Sequence, residues 1–164
     1  MTGTVVWFTG PPSAGKSTLA REVAAALRGR GEVPVLLDGD EVRAALVPSP
    51  GYDEAGRDQF YATLAQLAAL LAGQGLVVLV AATAHRQRYR DRARVLAPAF
   101  VEVHLATPLA ECRRRDAKGL YARGPAGLPG ADYEAPQAPE LTVAPGEDGA
   151  PARVAAAVLA GRSS

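Results

Sequence analysis

The sequence predicts an α/β fold in three layers, a central parallel sheet with helices on both faces, as in P-loop nucleotide-binding proteins. Three observations lead there. Apolar, β-branched runs alternate with helical stretches through short links, the order that produces parallel strands joined by crossover helices. A glycine-rich turn, "GPPSAGKS" at residues 10–17, lies between the first apolar run and the first helical stretch, the context in which such a turn grips phosphates. Leu76–Ala82 is the most uniformly apolar run and reads as a central strand covered on both sides.

The elements follow in order. Thr4–Thr9 is a β-branched strand, and a helix runs from Lys16 to Arg28. Val33–Leu37 reads as a second strand and Asp40–Leu46 as a short helix. Asp53 can accept from the free N–H groups of a longer helix reaching Ala72. After the strand at Leu76–Ala82, Arg86–Leu96 is helical, Phe100–Leu105 extended and Leu109–Arg115 helical. Residues 117–139, "AKGLYARGPAGLPGADYEAPQAP", turn to Gly, Pro and Ala, loop chemistry of a length that usually serves function. Leu141–Val143 supplies a last strand and Pro151–Leu159 a closing helix. No internal repeat is visible, and 164 residues suit one domain spanning 1–164.

Composition narrows the function classes. With 48% apolar residues and a net charge of +1, neither disorder nor a polyanion-binding surface is expected, so nucleic acid is not an expected partner. The apolar stretch Leu64–Ala84 is broken by "GQG", which makes it a helix end, a turn and a strand rather than a membrane span. Cys112 stands alone, which excludes an internal disulfide; with no segment resembling a signal peptide, a cytoplasmic protein is expected. Sixteen of eighteen basic residues are arginines, leaving Lys16 and Lys118. A lysine kept against that bias points to chemistry that arginine's fork cannot perform. There is no asparagine, so the guanine-reading Asn-Lys-x-Asp element is excluded and adenine is favoured.

Residues 10–17 match G-x-x-x-x-G-K-[ST] in full. Gly10 and Gly15 allow the loop to turn its N–H groups inward, the helix N-terminus adds its positive end, Lys16 reaches the β- and γ-phosphates, and the Ser17 hydroxyl ligates Mg²⁺. ATP and Mg²⁺ are the expected cofactors. "LLDGDEVR", Leu36–Arg43, falls where a parallel strand ends, the edge at which such sheets place ligands. Asp38 and Asp40 can both face the phosphates, one holding the magnesium shell while the other accepts the proton of an attacking hydroxyl. Arg43, one turn on, can clamp an anion, or simply pair with Asp40 at a capped helix start.

With these motifs in view, "FTGPPSAGKSTLA", "LLDGDEVRAAL", "FVEVHLATPLAECRRRDAKGLYAR" and "YEAPQAPEL" resemble adenylylsulfate kinases, which transfer the γ-phosphate of ATP to the 3′-hydroxyl of adenosine 5′-phosphosulfate (APS). The resemblance implies that Gly10, Ser13, Ala14, Gly15, Lys16, Ser17 and Thr18 hold ATP together with Arg115. It implies that Asp40 serves the acceptor hydroxyl, with Asp38 and Lys16 completing the catalytic set and Ser17 and Asp38 on the metal. Arg43 and Arg57 would hold the phosphosulfate, Tyr52 an aromatic face beside it, and Lys118 a lid over both nucleotides. A homodimer is also implied.

The chain departs from the family pattern on the acceptor side. Phe60 stands where an asparagine is usual, and "TAH" at Thr83–His85 replaces Ile-Ser-Pro. Phe60, Thr83 and His85 therefore join the candidate acceptor residues. Either Phe60 lines the site, favouring an anionic acceptor with a more apolar body, or it turns into the core. Two alternatives to APS phosphorylation stay open: a divergent kinase for another nucleotide or small anionic metabolite, and a nucleotide-binding regulator without an acceptor. "HRQRYRDRAR", residues 85–94, is expected to be a solvated basic helix, with His104 and Cys112 structural.

Overall fold

The computed structural model describes residues 2–116 and 132–162. Eleven elements are found among them: β1 (Thr4–Thr9), α1 (Lys16–Arg28), β2 (Val35–Asp38), α2 (Gly39–Ala45), α3 (Glu54–Ala72), β3 (Val77–Ala81), α4 (Gln87–Leu96), β4 (Phe100–Leu105), α5 (Leu109–Arg115), β5 (Leu141–Val143) and α6 (Ala150–Arg162). The predicted elements are all present; β2, α2, β3, α4 and α6 are shifted at their ends by one to three residues. The strands form one sheet in the order β2-β3-β1-β4-β5, and every neighbouring pair is parallel. β1 takes the middle place, and the 76–82 run is a central strand as expected, lying between β1 and β2, parallel to both and buried along its whole length.

Alternation along β1 divides the core. Val6 and Phe8 point to one face and pack with Leu19, Val23 and Leu27 of α1 and Val154 and Val158 of α6. Val5 and Trp7 point to the other and pack with Phe60, Leu64 and Ala68 of α3 and Tyr89 and Ala93 of α4. Successive strand side chains face opposite ways, so a strand covered by helices on both sides must be apolar throughout. Trp7 is fully buried, and its indole N–H is satisfied by the Ala82 carbonyl at 3.3 Å.

Segment 64–84 is divided as expected: α3 stops at Ala72, Gly73–Gly75 turn the chain, and β3 begins at Val77. No helix among the described residues is long and apolar enough to cross a membrane. Because all five strands run the same way, their C-terminal ends meet at one edge of the sheet. The segments leaving that edge carry the chemistry.

Candidate active site

The turn after β1 wraps the start of α1. Gly15 has φ +102°, a left-handed angle that costs a side chain energy and glycine nothing. Ser13, at φ +65°, bears such strain in the same loop. The loop is braced from below, because the buried Thr107 hydroxyl donates to the Ala14 carbonyl at 2.9 Å. Lys16 Nζ curls over the turn and donates to the carbonyls of Gly10 (3.0 Å) and Pro11 (2.8 Å), which holds its ammonium at the loop's mouth.

At the end of β2, Asp38 is the N-cap of α2. Its Oδ1 accepts from the N–H of Asp40 at 3.0 Å and of Glu41 at 3.5 Å. Its Oδ2 accepts from the Ser17 hydroxyl. One carboxylate therefore fastens the acidic turn to the phosphate loop. A hydroxyl and a carboxylate held together form a hard-oxygen pair of the sort Mg²⁺ takes, the remaining positions going to water and phosphate. Asp40 is exposed into the same space.

These groups open on a cavity of about 510 Å³, within the range of small-molecule sites. Ser13, Gly15, Lys16, Ser17 and Thr18 line its phosphate end; Asp40, Arg43, Arg57 and Phe60 line the far end. Arg43 is sandwiched, its guanidinium carbon 4.2 Å from the Tyr52 ring centre and 4.3 Å from that of Phe60. It also donates to the carbonyls of Pro50 (2.7 Å) and Gly51 (3.3 Å). The loop so pinned lies against the first turn of α3, where a side chain at Gly56 would meet the Gly51 oxygen at 2.3 Å. Asp53 caps that helix through the Gly56 N–H at 3.0 Å.

Phe60 is at once a core residue and part of the cavity lining. It is 3% exposed and belongs to the core, yet one face forms the cavity wall beneath Arg43. Thr83 and His85 also line the cavity. Between them Ala84, at φ +46°, makes the sharp turn that brings His85 round; strain of this kind in a non-glycine residue gathers at functional sites. Burial holds His85 below its ordinary pKa of 6.5, with Asp132 pulling the other way.

A second cavity of about 250 Å³ lies on the other side of the phosphate loop, between α1 and the segment after β5. Ala14, Gly15, Thr18 and Arg115 border it, with Glu22, Ala144 and Pro145 beyond. Arg115 also borders the first cavity. Its Nη1 donates to the Ala14 carbonyl at 3.4 Å and its Nε to Glu111 at 3.0 Å, so it stands over the loop where the two spaces join. Residues 144–148, "APGED", form a turn leaving a strand at the functional edge, and that place is the signal the sequence carries for them.

Gly10 is buried beneath the loop, and a side chain there would press on Ala14 and Leu105. Ala14 borders the second cavity alone. Lys118 and the rest of 117–131 lie outside the described residues. Residues 132–139 carry no helix or strand, as expected of a loop, and Tyr133 and Glu134 tie them to the sheet edge. Tyr61 and Asp132, which the sequence reading missed, are part of the main cavity. Helix 87–96 is not simply solvated: Arg90 is 1% exposed and its Nε donates to the buried Glu102 at 2.8 Å. Cys112 is fully buried, as expected of a core residue.

Comparison with known proteins agrees with this geometry. A family model described as adenylylsulphate kinase matches residues 2–144. The chain is 43% identical over 147 residues to the adenylyl-sulfate kinase of Shewanella denitrificans, covering 85% of this chain and 72% of that one. It is 44% identical over 145 residues to the bifunctional enzyme NodQ of Azospirillum brasilense, covering 84% of this chain but 23% of that one, so it spans about a quarter of that larger relative. Among solved structures, the Mycobacterium tuberculosis APS kinase CysC in complex with AMPPNP and APS superposes with a TM-score of 0.85 at 34% identity, covering 99% of both chains.

Proposed function

Because the chain belongs to the adenylylsulphate kinase family, we propose that it transfers the γ-phosphate of ATP to the 3′-hydroxyl of APS. One observation carries this reading beyond family membership. A complete phosphate grip and an acidic, arginine-lined acceptor end share a single cavity, which a binder without an acceptor would not need.

The donor's phosphates lie in the loop 10–17, with Lys16 on the β- and γ-phosphates and Arg115 above them. Its base occupies the second cavity beside residues 144–147. Ser17 and Asp38 would hold the Mg²⁺ that neutralises charge on the transferring group. Asp40 takes the proton of the attacking hydroxyl. Arg43 and Arg57 hold the phosphosulfate, and the Tyr52 ring flanks the acceptor. Transfer is in line, and its barrier is lowered mainly by positioning and charge neutralisation. Lys118 and a homodimeric assembly belong to the same reading.

Steady-state kinetics across a panel of hydroxyl acceptors tests it. APS should have the highest kcat/KM of the panel. A different nucleotide or anionic metabolite with clearly higher kcat/KM would replace APS as the substrate.

A further inference from the structure

One wall of the main cavity takes no part in the chemistry above. It carries Asp132 and His85, whose Oδ2 and Nε2 lie 3.8 Å apart. Asp132 opens a segment fastened to the sheet edge at several points. The Glu134 N–H donates to the His85 carbonyl at 2.8 Å, and the Gln87 N–H donates to the Glu134 side chain at 2.8 Å. Arg90 Nη2 donates to the Glu134 carbonyl at 2.5 Å. The Tyr133 hydroxyl lies 2.8 Å from that of Thr9, whose single proton goes to the Thr83 carbonyl at 2.8 Å. Tyr133 must then be the donor to Thr9. Farther along, Glu140 accepts both Nη groups of Arg94 at 2.9 and 3.0 Å. The carboxylate of Asp132 is thus presented by a fixed backbone.

A purely structural role for Asp132 is weak. Its side chain is 37% exposed, and its ion-pair partner among the described residues is His85, 3.8 Å away and charged only when protonated; such pairs contribute little to stability. Its charge matters more inside the cavity, where Arg43 and Arg57 supply the opposite pole. An anionic group is repelled from Asp132 and drawn to the arginines, whereas a hydrogen-bond donor is drawn to Asp132.

We infer that Asp132, with His85 beside it, is an acceptor-binding contact that takes a hydrogen-bond donor of the acceptor, an amine or hydroxyl other than the reacting one. It thereby sets the acceptor's orientation between two poles of opposite charge. This rests on the reading of APS as acceptor; APS carries an exocyclic amine and a second ribose hydroxyl, either of which qualifies.

The test compares the parent protein with Asp132→Ala and Asp132→Asn, measuring KM for APS, KM for ATP, kcat and the thermal midpoint. Losing a hydrogen bond to a charged group should raise the KM for APS roughly tenfold or more in Asp132→Ala, and less in Asp132→Asn, which keeps one acceptor oxygen. The KM for ATP and the thermal midpoint should not move. An unchanged KM for APS in both variants, beside normal turnover by the parent, overturns this inference alone. So does a KM for ATP that rises in step with a falling thermal midpoint. No turnover of APS by the parent overturns the functional reading and this inference with it.

Discussion

Asp38 and Asp40 are two residues apart and placed for different work. Asp38 spends both oxygens on positioning, one on the Ser17 hydroxyl and one on backbone N–H groups. Asp40 presents its side chain to the cavity. Replacing Asp40 with Asn should therefore lower kcat by about a hundredfold or more while leaving the KM for ATP unchanged. Loss of ATP affinity with kcat intact would move Asp40 to the donor side. Histidine gives a second prediction at this scale. Burial depresses His85 and His104 below their ordinary value of 6.5, opposed at His85 by Asp132 and reinforced at His104 by Arg90. The unfolded chain then binds protons more readily than the folded one. This contribution to stability is complete above the ordinary value and is lost as the pH falls from there through the depressed values. Urea midpoints should drop over that interval, and the double change His85→Gln, His104→Gln should flatten the slope; an identical slope in both proteins would contradict it. The phosphate-loop residues and the aspartate pair were legible because each motif is a pattern contained within a few residues of the chain. Asp132 and His85 are 47 positions apart, and no local pattern announces such a meeting.

At the scale of elements, α4 shows where pattern reading stops. Arginine occupies positions 86, 88, 90, 92 and 94. Spacing by two on a helix spreads side chains around the axis and marks no face. The sequence therefore suggested a solvated helix, while packing against β4 selected Arg90 for burial. Arg90 is held by Glu102, by the Ala84 carbonyl and by Gln87. Arg88, with a 53% exposed side chain, pairs with the partly exposed Asp58. Arg90→Ala leaves a buried carboxylate without its main partner and should cost about 3–5 kcal/mol of stability; Arg88→Ala should cost about 1 kcal/mol or less. Chemical denaturation of the two variants checks this, and equal losses would refute the ranking. Helices and strands themselves were legible from periodicity. Nothing local shows that Tyr133 and Glu134, within the Gly/Pro/Ala stretch, have distant partners on β1 and α4.

At the scale of the molecule, a parallel sheet gathers the ends of five strands along one edge. There the fold sets two cavities on either side of one phosphate loop. The alternation of elements made the layers readable in advance. The strand order was not readable, since which strand takes the centre is decided by long-range pairing. The central claim is that the main cavity brings the donor's phosphates and an acceptor together for a single transfer. Its most direct test follows label from the γ-phosphate of ATP in the presence and absence of APS, with Lys16→Ala alongside. The account predicts one ADP for each labelled, phosphorylated APS, little ADP without APS, and transfer abolished in the folded Lys16→Ala variant. ADP released at the same rate without APS, with no label in an acceptor, would contradict it.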